Sequence, residues 1–172
     1  QAGRAQTLLS SHSPAVLSRI NPEEIRHFRL QSQTNTTVVN HITLPTAPSE
    51  AHKYVREAVI AYPELYFSRF VILAEGPSEQ IVIPKLFGAL GLEPDASFVT
   101  VVPLGGRHVS HFWKLLTDLA IPYATLLDLD LGRENGGWGR IKYVMNQLLA
   151  IGVDEQHVLV CQDANGDTLH SL

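Results

Sequence analysis

From residue 69 onward the chain alternates strand and helix with short connections, and few folds accommodate that rhythm. RFVILAE (69–75) opens it as a nearly unbroken apolar run, the composition of a strand buried on both faces. PSEQIVIPKLFGALG (77–91) reads as a helix with Pro77 at its start and Gly91 at its close, and Pro84 is expected to kink or shorten it. FVTVVPL (98–104) is the second strand, and residues 107–120 form a helix that turns Val109, Phe112, Leu115, Leu116 and Leu119 inward. YATLLDLD (123–130) is the third strand, GRIKYVMNQLLAIG (139–152) the third helix and HVLVCQ (157–162) the fourth strand. The pattern predicts an α/β fold, a mostly parallel sheet flanked by helices on both faces, with right-handed crossovers.

The residues before 69 follow a different rhythm. TLLS (7–10) is a short strand candidate, and PAVLSRI (14–20) a short helix with Ser13 as cap and Pro14 at its first position. IRHFRL (25–30) and TTVVNHITL (36–44) alternate apolar and polar residues as paired strands do, with turn residues QSQTN between them. PTAPSE (45–50) is a Pro-rich break and marks a boundary. A helix then runs from Ser49 to Tyr62, with Val55, Ala58, Val59 and Tyr62 on one face, and Pro63 ends it.

In a parallel sheet, ligands bind outside the carboxyl ends of the strands. The first strand of the alternating region ends in Glu75-Gly76, with Glu79 in the next helical turn, and the second in Gly105-Gly106-Arg107-His108. The third ends in Asp128-Leu129-Asp130 and the loop LGRENGGWGR (131–140), and the fourth near Asp163. On an extended chain Asp128 and Asp130 leave the same face about 6–7 Å apart. Glu75, Glu79, Asp128 and Asp130 would thus gather on one edge and repel one another unless a hard, oxygen-seeking cation neutralised them. Magnesium or manganese suits that donor set, and four carboxylates leave room for two ions, the arrangement used in phosphodiester cleavage.

Each element of this edge has a plainer reading as well. Glu79 in a first helical turn complements the helix dipole, and one aspartate of the pair could simply begin the next turn. His108 and His111 stand one turn apart as a metal pair or as a solvated helix edge. Arg133 and Arg140 are phosphate-holding groups or ordinary loop charges. Trp138 stacks on a base or anchors its loop, the latter being favoured, and Cys161 reads as a small buried residue.

Charged residues make up 17% of the 172, with a formal net charge of −4, which excludes holding nucleic acid by bulk positive charge. The single Cys161 excludes an internal disulfide framework and fits a reducing, cytoplasmic setting. No run approaches the roughly 20 apolar residues needed to span a membrane, and the start lacks a signal-peptide pattern. The first residue is Gln1, so the expectation is a piece of a longer protein.

The stretch VILAEGPSEQIVIPKLFGALGL, followed by VTVVPLGG and IPYATLLDLDLGR, resembles the Toprim domain shared by topoisomerases, bacterial primases and OLD-family nucleases. EGPSE with its second glutamate and DLDLGRENGGWGRIKY look like the OLD (overcoming lysogenization defect) branch, and the likeness covers about residues 49–162. It implies a metal-dependent DNA endonuclease fused behind an ABC-type ATPase domain. Glu75, Glu79, Asp128 and Asp130 would be ligands of two divalent ions, magnesium or manganese, or, for a glutamate, the general acid/base. One strand cut per active site implies a homodimer for duplex cleavage. TLLSSHSPAVLSRI resembles the last core strand and switch-histidine loop of ABC-type ATPases, with His12 where the terminal phosphate is sensed.

The implied organisation is an ATPase remnant over 1–48, a linker helix over 49–68 and a Toprim nuclease domain over 69–172, incomplete at its end. The sequence holds no G-x-x-x-x-G-K-[ST] loop, so ATP would act only through a part not in this sequence. Two other readings belong to other classes. LLDLDLG also resembles phosphatases with an aspartyl-phosphate intermediate, although those carry the motif on their first strand. A non-catalytic module would use the acidic edge to hold a structural cation or a basic partner.

Overall fold

The computed structural model describes residues 6–31, 34–44, 50–92, 98–105 and 109–154. The expected strand 157–162, with Cys161 and Asp163, lies outside the described residues, as do Gly106, Arg107, His108 and the cap Ser49, and the side chains of Val55, Ala58 and Val59. TLLS is not a strand: residues 6–13 have no regular structure, and Leu8 and Leu9 are exposed. A strand needs a neighbouring ladder, and none of the described residues provides one here. The helix expected over 14–20 is the single turn α1 (Pro14–Leu17), which Ser13 precedes without a side-chain cap bond.

β1 (Arg26–Gln31) and β2 (Thr36–His41) pair antiparallel, with Phe28 opposite Val39. α2 (Glu50–Ala61) follows, and a 3-10 turn at Pro63–Phe67 leads into the sheet. There β3 (Phe70–Ala74), α3 (Pro77–Ala89), β4 (Val99–Pro103), α4 (Val109–Asp118), β5 (Tyr123–Leu126) and α5 (Trp138–Ala150) succeed one another as the alternation requires. The three strands are parallel in the order β4-β3-β5, in accord with the expected α/β fold.

One agreement with the sequence expectation and one difference matter. α3 runs through Pro84 to Ala89, close to the expected 77–91, with Pro84 exposed while Ile83 and Phe87 pack on the sheet. β5 ends at Leu126, so the chain is already irregular where an extended D-x-D was expected, and Asp130 has a left-handed φ of 50°.

The pleat divides the core. Val71 and Leu73 of β3, with Val102 and Leu104, face a large cluster built on Phe112, Trp113, Leu115, Leu116 and Leu119. Val144, Leu148 and Ile151 pack on its margin. Ala74 and Val101 meet Ile83 of α3, with Ile72 and Phe87, in a smaller cluster on the other face. Ile25 and Ile42, which flank the β1–β2 hairpin, are buried in the large cluster. The Asn40 amide donates to the Leu119 carbonyl at 3.1 Å, and His27 Nε2 lies 2.8 Å from the Tyr66 carbonyl. The hairpin and the sheet therefore share one interior.

Candidate functional site

The strand order decides where the acids fall. The chain leaves β3, crosses to β4 on one side and returns past β3 to β5 on the other, so the topological switch point is the crevice between the ends of β3 and β5. Ala74 pairs with Leu126, which sets Glu75 and Asp128 just beyond that crevice. The Asp128 backbone N–H donates to Glu75 Oε2 at 2.7 Å. Arg140 Nη2 meets the other oxygen, Oε1, at 2.7 Å. Glu75 and Arg140 side chains are 22% and 19% exposed, so this ion pair sits at a partly desolvated edge where it is stronger than a surface pair.

Arg140 reaches Glu75 because the preceding loop folds tightly on itself. The Gly137 N–H donates to the Leu129 carbonyl at 2.7 Å, and the Arg133 N–H to the Asp130 carbonyl at 3.1 Å. A Cβ at Gly136 would overlap the Asp130 carbonyl, and Gly137 has φ 57°, ψ −121°, a conformation open to glycine. Glycines thus anchor this loop. Trp138, expected to do so, starts α5 and is 55% exposed.

Glu79 turns back on its own helix. Its Oε2 accepts the Gly76 N–H at 2.9 Å, and both oxygens accept from Ser78 Oγ at 3.1 Å. This is the carboxylate half of a capping box, since Gly76 has no side chain to return the bond. The hydrogen bond from its own backbone N–H, the largest effect, holds the Glu79 carboxyl below its ordinary value; desolvation opposes it, and the bonds from Gly76 and Ser78 add to the lowering. Asp130 pairs with Arg133 at 3.1 Å, and the Asp128 side chain is exposed.

The structure therefore joins Glu75, Asp128 and Arg140, while Glu79 and Asp130 each engage a nearer donor. Among the described residues no three His, Cys, Asp or Glu side chains form a group able to hold a metal, so the expected four-carboxylate cluster is not assembled. The cause is physical: like charges separate onto local N–H and guanidinium donors when these lie closer than one another. By chemistry the residues fit a hard divalent cation, since every candidate donor is a carboxylate oxygen and Glu75 and Asp128 adjoin at the switch point.

His12 is exposed and lies against the Phe67 ring, centroids 6.2 Å apart, with no bond to the four acids. A cleft of about 350 Å³ near Arg19 and Arg56 is lined by Glu24 but by none of Glu75, Glu79, Asp128 and Asp130. Sequence reasoning missed Arg140 as the partner of Glu75 and Ser78 as a donor to Glu79. Ser78 was legible as a hydroxyl one residue before an N-terminal glutamate, but the reach of Arg140 depends on the loop's path.

Residues 66–130 match the family model described as "Overcoming lysogenization defect protein-like, TOPRIM domain". Residues 66–130 carry an OLD-like Toprim domain. The match begins in the turn before β3 and ends at Asp130, so it encloses all four acids. The chain is also 26% identical over 164 residues to Endonuclease GajA of Bacillus cereus (strain VD045), covering 92% of this chain. It spans 28% of the length of that relative. Among solved structures, the C-terminal region of the Xanthomonas campestris pv. campestris OLD protein matches with 32% identity and a TM-score of 0.45, over 56% of this chain and 47% of that one. Among the described residues no helix is long and apolar enough to cross a membrane.

Proposed function

We propose that this Toprim domain is the nuclease part of a metal-dependent DNA endonuclease. The observation that carries the reading is the junction of Glu75 with the Asp128 amide at the switch point of the sheet, inside the OLD-like Toprim match. The similarity to a protein named an endonuclease supports the same chemistry and DNA as the substrate.

In this reading Glu75, Glu79, Asp128 and Asp130 hold two divalent cations, magnesium or manganese. When bound, such ions supply an activated water and stabilise the departing oxygen in phosphodiester cleavage. The chain's own residues do the positioning. The Asp128 amide fixes the direction of the Glu75 carboxylate, and the Gly136–Gly137 turn sets the loop that carries Asp130 and Arg133. Arg133, 79% exposed, offers a guanidinium to a phosphate oxygen, and the exposed Trp138 offers a face on which a base can stack. Asp128 follows the third strand of the alternating region, not the first, which disfavours the aspartyl-phosphate alternative.

The proposal extends to organisation. Residues 1–48 belong to an ABC-type ATPase region in which His12 senses nucleotide, 49–68 link it, and 69–172 are the nuclease domain. ATP acts through parts outside this sequence, and a cytoplasmic homodimer cuts both strands. The test is nicking of supercoiled plasmid by the intact protein with magnesium, manganese or EDTA. Nicking that needs a divalent ion and disappears in Asp128→Ala is expected; nicking unchanged in that variant, or absent from the folded protein with either ion, sinks the reading.

A further inference from the structure

Arg140 has a placement that binding phosphate alone does not explain. Both oxygens of Glu75 are taken, one by the Asp128 amide and one by Arg140 Nη2. Each oxygen keeps a further lone pair for a ligand, but a cation on Glu75 would stand against the guanidinium charge already at Oε1. The amide belongs to the backbone leaving β5, so the movable partner is the arginine side chain. Its grip is also incomplete. The contact is through one nitrogen rather than the parallel two-nitrogen fork that makes arginine–carboxylate pairs strong. Arg140 Nε is buried without a hydrogen-bond partner among the described residues, a state that costs free energy and favours rearrangement. The guanidinium carbon lies 5.9 Å from the centroid of the Tyr143 ring, one turn along α5, which gives the released group an apolar face to rest on.

We infer that Arg140 is the counter-charge of Glu75 and competes with a divalent cation for that carboxylate, so that binding the cation frees the guanidinium for an anion. The inference rests on the reading that Glu75 holds a cation. It makes Arg140 a positioning residue whose charge sets the affinity of the site. The sign is unusual: removing a residue from the site should tighten cation binding, because one partly exposed positive charge no longer opposes the ion.

Manganese binding to the intact protein, followed by electron paramagnetic resonance of the free ion, tests it. Arg140→Gln is expected to bind manganese about tenfold more tightly than the wild type, equivalent to about 1.4 kcal/mol, and Arg140→Lys, which keeps the charge, to remain near the wild type. Equal or weaker binding by a folded Arg140→Gln protein overturns the inference while leaving the cation reading intact. Failure of the wild type to bind manganese overturns both. The wild type alone gives a second readout if the variant does not fold. Saturating magnesium should release the restricted rotation of the Arg140 Nη groups in 15N spectra, and restriction that persists at saturation overturns the competition.

Discussion

Asp128 is held where it is by the strand it leaves, and one side-chain bond ties that strand to the helix behind it. Trp113 of α4 is 2% exposed, and its Nε1–H donates to Thr125 Oγ1 of β5 at 2.7 Å. Trp113→Phe removes the donor, leaves the Thr125 hydroxyl without its partner and opens space for the lost ring atoms, at a cost of about 2–4 kcal/mol, just below that of a full truncation. Thr125→Val keeps the shape of the side chain but strands a buried indole N–H, for about 1–3 kcal/mol. If the bond is what the two substitutions share, the double variant loses less than the sum of the singles by about 1 kcal/mol. Urea denaturation of the four proteins measures this cycle. Losses that add to within about 0.3 kcal/mol would refute the claim that this bond fastens β5 to α4.

Three further outcomes follow from single sites. Gly136→Ala, whose methyl would overlap the Asp130 carbonyl, is expected to lose about 1–3 kcal/mol in the same denaturation experiment. Gly139→Ala, whose methyl would meet Asn135 Cβ at an ordinary 3.8 Å within α5, should gain up to about 1 kcal/mol, so equal effects at the two glycines would contradict the loop geometry. His27 is pushed below its usual 6.5 chiefly by burial, with Arg29 adding to the shift and the Tyr66 carbonyl opposing it. The unfolded chain therefore takes up the proton first, and the contribution to stability is full above 6.5 and lost as pH falls through 6.5 toward the lower folded value. Denaturation at pH 7.5 and 5.5 should show a smaller acid loss for His27→Gln, which can still donate to the Tyr66 carbonyl, than for the wild type.

The sheet was legible because its strands are continuous apolar runs separated by helices of the right length, a signal that survives without any tertiary knowledge. The convergence of Glu75 and Asp128 was legible for the same reason, since parallel topology alone brings strand ends together. Side-chain direction was not. The expected spacing of Asp128 and Asp130 assumed an extended chain, but β5 stops at Leu126 and the path of 127–137 is dictated by glycine close approaches that composition does not reveal. TLLS failed for a related reason: four residues of strand composition say nothing about whether a neighbour exists. The Pro-rich stretch 45–50 reads as a break, yet the residues on either side of the hairpin bury Ile25 and Ile42 in the core that also contains Leu73 and Leu116. Composition marks where a chain is irregular, whereas packing decides what moves with what.

That distinction bears on how the acidic edge is held. Glu75 has two partners from separate stretches of chain, the amide from the backbone just past β5 and the guanidinium from the first turn of α5. Each is secured elsewhere. β5 is paired to β3 and tied to α4 through Trp113, and α5 is packed at its far end through Leu148 and Ile151 on the large cluster. Between them runs only the glycine-rich loop, whose members bond chiefly to one another. Arg140 can therefore move without the Asp128 amide, because the guanidinium stands at the end of a long, rotatable side chain while the amide is backbone two residues past β5. The reverse does not hold. Displacing β5 would shift the amide, the loop and the start of α5 together, so damage to the Trp113–Thr125 bond should disturb the whole acidic edge where damage at Arg140 disturbs one contact. The two sets of variants thus separate a defect of scaffold from a change of charge at the same carboxylate.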